Sequence, residues 1–125
     1  MTRDEASRFA TAWAEHWNNG EVEKVLAHFS DDTVFTSPTA AEVVGTAIVR
    51  GKDALRAYWT LALQRIGSVH FSVDHILWDE SRRELAIVYT AKISGKVRRV
   101  SENLRFDSGD MIVAAEVFHG MSGPA

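Results

Sequence analysis

Residues 97–107, VRRVSENLRFD, alternate in the manner of a strand. Val97, Arg99, Ser101, Asn103, Arg105 and Asp107 form a polar face, and Arg98, Val100, Glu102, Leu104 and Phe106 form the other. Glu102 is therefore placed between Val100 and Leu104, on the face a core would cover. A carboxyl group there must be paired, hydrogen-bonded or protonated, because an ionised and isolated one costs several kcal/mol. Such a group can serve as an acid that burial keeps protonated near neutral pH. The same position also suits a buried ion pair, with Arg98 two pleats along the same face or with Arg56 or Arg65. The sequence leaves both readings open.

Two further positions bear on chemistry. His119 ends the apolar run MIVAAEVFHG (111–120) and shares its side with Met111, Val113, Ala115 and Val117. It reads either as a satisfied core or rim histidine or as a base. In VFTSPTA (34–40) a strand begins on Val34 and Phe35, turns polar at Thr36 and Ser37, and stops at Pro38. This is either a turn in which a hydroxyl caps the chain or the mouth of a cavity. The other histidines (His16, His28, His70, His75) show no metal-ligand spacing, so no metal is expected. There is no phosphate-binding glycine loop, dinucleotide fingerprint or nucleophile elbow, and no cofactor is expected.

The elements that must hold these residues follow from periodicity. Thr2 and Glu5 form a capping box, and Phe9, Trp13 and Trp17 recur on one helical stripe that ends at Asn18-Asn19-Gly20. A short helix over about 21–28 follows, then the strand entered at Val34. Residues 40–51 read as a loop with a short strand at Ile48-Val49. A third helix covers about 52–66, with Leu55, Tyr58, Trp59, Ala62, Leu63 and Ile66 on one side. The period then changes to two, giving strands near 68–78, 84–94, 97–107 and 111–119, separated by short turn sequences. The expected fold class is α+β, in the order α-α-β-β-α-β-β-β-β, with helices packed on one face of an antiparallel sheet.

The totals agree with one domain over residues 1–125. The chain has 46% hydrophobic and 25% charged residues, a net charge of −3 and no cysteine. Disulfides and thiolate chemistry are thereby excluded. The densest basic run, Lys96-Val97-Arg98-Arg99, has three cations in a chain of negative net charge, so no nucleic-acid partner is expected. No apolar run approaches the length of a membrane span, no membrane partner is expected, and the expected location is cytoplasmic.

Taken in order, the strings HWNNGEVEKVLAHFSDDTVFTSP (16–38), RGKDALRAYW (50–59) and LRFDSGDMIVAAEVFHG (104–120) resemble the nuclear transport factor 2-like superfamily. The resemblance is to its ketosteroid isomerase-like and SnoaL-like (polyketide cyclase-like) members. It implies a cone, a curved sheet wrapped around a long helix with an apolar pocket at the open end. In ketosteroid isomerases a carboxylate base precedes a proline, a tyrosine lies on the first helix, and a protonated acid completes an oxyanion hole. At the matching positions this chain has Ser37, Trp13 and Glu102. A serine hydroxyl has no useful basicity near neutral pH, and an indole N–H is no substitute for a phenol, so the standard isomerase dyad is not expected.

The resemblance also places His119, Tyr58 and Trp59 toward the pocket. The expected ligand-binding wall is Trp13, Tyr58, Trp59, Phe106, Ala115 and Val117, with Ser37, Glu102 and His119 as candidate catalytic residues. Two functions fit these residues. One is isomerase- or cyclase-type acid–base chemistry on a small apolar carbonyl or cyclic compound, with His119 as base, Glu102 as acid or oxyanion donor, and Ser37 orienting the substrate. The other is a non-catalytic ligand-binding or dimerisation module on the same cone. Ala86, Val88, Thr90, Ala114 and Phe118 leave apolar residues on the second face of two strands, from which a homodimer is expected.

Overall fold

The computed structural model describes residues 1–124. Helix α1 (Arg3–Asn18) starts at the expected capping box: Thr2 Oγ1 accepts from the Glu5 N–H at 3.1 Å, and Glu5 Oε1 accepts from the Thr2 N–H at 3.0 Å. Its buried stripe is Ala6, Ala10, Trp13, Ala14 and Trp17. Small residues alternate with indoles, so the helix lies close to the sheet while the two rings reach into the core. Helix α2 (Val22–Leu26) is one short turn, and β1 (Phe29–Thr36) follows it.

The segment expected to be a loop contains a helix, α3 (Pro38–Val44), before β2 (Ile48–Arg50). Ser37 is its N-cap, extended at φ −153° and ψ 138°, and its Oγ accepts from the Thr39 N–H at 3.2 Å. Pro38 takes the first helical position, where its missing N–H and fixed φ cost nothing. Gly45 closes the helix at φ 81°, a left-handed conformation that disfavours a side chain. Ser-Pro ahead and Gly behind are a helix signature, one masked here by the shortness of the segment between them.

Helix α4 (Lys52–Ile66) leads into the long strands β3 (Val69–Asp79), β4 (Glu84–Ile93), β5 (Lys96–Phe106) and β6 (Ile112–Pro124). Ser94 and Gly95, both at positive φ, join β4 to β5 in the two-residue turn that a right-twisted hairpin favours. The six strands form one sheet in the order β2-β1-β6-β5-β4-β3. All neighbouring pairs are antiparallel except β1 and β6, which run parallel, with Phe35 opposite Ala115. The expected antiparallel meander is thus β3 to β6, and β1 extends it by a parallel pairing that local turn chemistry could not announce.

The inward side of the sheet carries Leu85, Ile87, Tyr89 and Ala91 from β4, and Val100, Glu102, Leu104 and Phe106 from β5. Asn18, at the end of α1, fastens the helix to the sheet edge. Its amide donates to the Phe71 carbonyl at 3.0 Å and accepts from the Phe71 N–H at 2.6 Å. It thereby satisfies the outward-facing backbone of an edge strand, as another strand would. No described helix is long and apolar enough to cross a membrane.

Candidate functional site

Glu102 is buried, 5% exposed, in the middle of β5. Ile87 on β4 and Val117 on β6 lie opposite it, so the carboxyl group is flanked by hydrocarbon on both sides. Its hydrogen-bond partner is a phenol: the Tyr89 hydroxyl donates to Glu102 Oε1 at 3.0 Å. Tyr89 pairs in register with Val100 and therefore stands diagonal to Glu102, two residues along on the same face, within reach of a long side chain. Burial pushes the Glu102 carboxyl from its ordinary 4.5 up to about 7, and the Tyr89 hydrogen bond offsets part of that rise. Burial also drives the Tyr89 phenol well above its ordinary range, with the neighbouring Glu102 charge acting in the same direction.

The ion-pair reading of Glu102 fails on geometry. Arg98 directs Nη1 to His119 Nδ1 at 2.9 Å, Arg56 binds Glu23 and Asp53 at the surface, and Arg65 is exposed. The carboxyl group is hydrogen-bonded by a phenol, with no cation in contact among the described residues.

Glu102 opens on a cavity of about 120 Å³ whose wall includes Ser37, Tyr58, Trp59, Phe71, Tyr89, Arg98, Val117 and His119. The structure therefore brings together Glu102, His119, Ser37, Tyr58, Trp59 and Val117. Trp13, Phe106 and Ala115, expected in the wall, are packed behind it instead. Trp13 stacks on Phe71 at 5.5 Å and meets the Tyr89 ring edge-on at 5.1 Å, so it backs two wall residues. Phe106 packs against Phe9 and Trp78, and Ala115 is buried opposite Phe35 and Leu104. Glu116 points away and is exposed.

Tyr89, Phe71 and Arg98 are among the wall residues the sequence reading missed. The signal for Tyr89 was present, since it alternates inward with Leu85 and Ile87. Its reach to Glu102 depends on the β4–β5 register, which the two-residue Ser94-Gly95 turn sets.

The polar groups differ in what they can do. Arginine has no acceptor, so in the Arg98–His119 bond the Nδ1 lone pair of the histidine accepts and the neutral ring carries its proton on Nε2. Burial and the adjacent Arg98 charge lower the His119 pKa, with Glu42 pulling weakly the other way. His119 is thus arranged as a hydrogen-bond donor toward the cavity, and the lone pair a base would use is occupied. Ser37, 3% exposed, caps α3 with its oxygen and also shares a side-chain hydrogen bond with Tyr58. Tyr58 is pushed up to about 12, chiefly by burial, so it stays a neutral phenol. No group of three or more His, Cys, Asp or Glu side chains among the described residues is placed to hold a metal ion.

A SnoaL-like domain model matches residues 10–119. No curated protein matches the chain in sequence. Among solved structures, a SnoaL-like protein of unknown function from Burkholderia thailandensis is similar at 27% identity and TM-score 0.86, over 96% of this chain and 98% of that one. The epoxide hydrolase/cyclase-like enzyme SalBIII, of pyran ring formation in the polyether salinomycin, superposes at TM-score 0.76 and 15% identity over 98% and 97% of the two chains. A computationally designed 17-OHP binder does so at TM-score 0.74 and 17% identity, over 96% of each. The last two likenesses establish the shared fold. The match across most of the length, joined to the helix-backed curved sheet, makes this chain a member of the SnoaL-like family of the nuclear transport factor 2-like superfamily.

Proposed function

We propose that the cavity binds a small apolar compound bearing a carbonyl or hydroxyl oxygen, and that Glu102 exchanges a proton with that oxygen. One observation carries this reading: a carboxyl group with no cation beside it, poised near pH 7, opening on an apolar chamber. Near neutral pH such a group is present in both forms, so it donates to a developing oxyanion or accepts from an enol with little driving force needed either way. Tyr89 donates to Oε1 and leaves Oε2 for the ligand. Isomerase- or cyclase-type chemistry would run through this single carboxyl group, with His119 Nε2–H and the Tyr58 hydroxyl as neutral hydrogen-bond donors.

The non-catalytic reading has its own support. Ser37 occupies the position of the family's base and is bound into a helix cap, and the His119 lone pair is taken by Arg98. A protein with one proton-exchanging group binds well and catalyses only reactions that need no second base. The two readings separate on turnover, but both require the cavity to take an oxygen-bearing ring. Titration calorimetry with 4-ethylphenol tests that requirement. Binding that weakens in Glu102→Gln above pH 7 and severalfold in Tyr58→Phe supports the site, and absence of binding to the folded wild type at millimolar ligand overturns it.

A homodimer through the outer sheet face belongs to the same proposal. Leu77 is 60% exposed and Phe118 47% exposed on the side of the sheet opposite the cavity, with Ala86 and Val88 half-buried between them. Ser101 and Asn103 on β5 lie between Val88 and Phe118, so the face carries two apolar patches of the kind that self-association covers.

A further inference from the structure

The inner cavity is small for a ligand. At about 120 Å³ it is of the order of the ~150 Å³ apolar cavity that takes up benzene, so it admits one ring. It opens into an outer recess of about 700 Å³ between α3, the β4–β5 turn and the end of β6. Arg98 lines both spaces and stands at their junction.

Arg98 is a half-buried guanidinium whose one side-chain hydrogen bond, among the described residues, goes to a neutral imidazole. The other well-placed arginines each have a carboxylate: Arg56 has Glu23, Arg83 has Asp110 and Arg99 has Asp74. The bond to His119 uses Nη1 and leaves the Nε and Nη2 edge free, the planar two-donor fork that matches the two oxygens of a carboxylate. The recess also carries Lys96, and its single acid, Glu42, is exposed and forms no ion pair. Among the described residues no carboxylate contacts Arg98 or Lys96, and Glu42 acts on His119 through its charge alone.

From this arrangement we infer that the natural ligand is an organic acid: a single ring with an oxygen function that enters the inner cavity toward Glu102, joined by a short tether to a carboxylate that binds Arg98. The inference rests on the proposed cavity reading and adds the charged end. Arg98 and Glu102 lie four residues apart on one strand face, roughly 13 Å between Cα atoms. The arginine side chain shortens that gap, so a ring with a two- or three-carbon tether spans it. Arg98 here is a specificity residue, separate from the proton exchange at Glu102.

Three ligands of one shape test this: 4-ethylphenol, 3-(4-hydroxyphenyl)propanoate and the primary amide of that acid, titrated calorimetrically into the folded wild type and Arg98→Met. The expected result is at least a tenfold tighter Kd for the carboxylate than for the amide in wild type. In Arg98→Met the carboxylate-to-amide affinity ratio should fall to about one, each Kd being compared with that of 4-ethylphenol in the same variant. In wild type, added NaCl should weaken the carboxylate alone, and the His119 ring resonances should titrate at higher pH with the carboxylate bound. A carboxylate no tighter than its amide, with 4-ethylphenol bound normally, overturns the organic-acid inference and leaves the cavity reading intact. If none of the three binds, both fall. An advantage that persists in Arg98→Met assigns the charge recognition to another residue and also overturns it.

Discussion

The Tyr89 hydroxyl donates to Glu102 Oε1 at 3.0 Å in the interior of the cone, and among the described residues no cation contacts either group. Desolvation raises the carboxyl group while the hydrogen bond opposes it, so the bond keeps Glu102 near 7 rather than higher. Tyr89→Phe should therefore move the Glu102 pKa further up, and the shift is readable by carbon-detected NMR titration of the carboxyl carbon. A wild-type value at or below 4.5 would contradict the desolvated acid altogether.

The same shift makes Glu102 a source of pH-dependent stability. Its folded pKa of about 7 lies above the ordinary 4.5, so between those values the folded chain holds a proton that the unfolded chain releases. Stability from this group is complete below about pH 4.5, falls as pH rises toward 7, and is flat beyond. The loss amounts to about 3 kcal/mol at most. Glu102→Gln should remove the slope, so urea unfolding should find the variant more stable relative to wild type at pH 8 than at pH 4. Parallel pH profiles for the two proteins would rule this out.

Wall and core aromatics should part in their effects. Tyr58 lines the cavity, and Tyr58→Phe removes only a hydroxyl, so ligand affinity should drop severalfold with the melting temperature nearly unchanged. Trp13 is 2% exposed behind the wall, and Trp13→Ala should cost about 3–5 kcal/mol of stability. Equal effects of the two substitutions on affinity at matched stability would erase the distinction between wall and backing.

Ser37→Ala should destabilise by about 1 kcal/mol through loss of the α3 cap, and Ser37→Thr, which keeps the capping hydroxyl without adding a charge, should lose less. Chemical denaturation of both variants decides this. If Ser37→Ala is as stable as wild type, the hydroxyl is not held by the helix and is free for a ligand.

Charge on the outer sheet face should separate the proposed dimer. Leu77→Glu with Phe118→Glu introduces two carboxylates per chain where apolar side chains are exposed. Sedimentation should show the mass of two chains for wild type and of one for the double variant. A wild-type protein that runs as a single chain at micromolar concentration removes the dimer.

The legible part of this protein was the part governed by short-range periodicity. Alternation along residues 97–107 put Glu102 on the inner face, because a strand turns successive side chains to opposite sides whatever surrounds it. The capping box at Thr2, the stripe of Trp13 and Trp17, and the turn ahead of β5 were readable for the same local reason. Helix α3 was missed because Ser37 and Pro38 mark a strand end and a helix start alike, and the stretch before Gly45 is too short to show a period.

What bonds to Glu102 could only come from tertiary structure. Arg98 is the nearest cation in sequence on its strand face, yet Tyr89, thirteen residues away, is its partner. That choice rests on the β4–β5 register and on the curvature that turns Arg98 outward to His119 at the junction of the two spaces. Strand alternation decides which side of a sheet a residue occupies. Which groups then meet is decided by where neighbouring strands stop and how the sheet closes over its helix, because hydrogen bonds and desolvation act through distance in space and not along the chain.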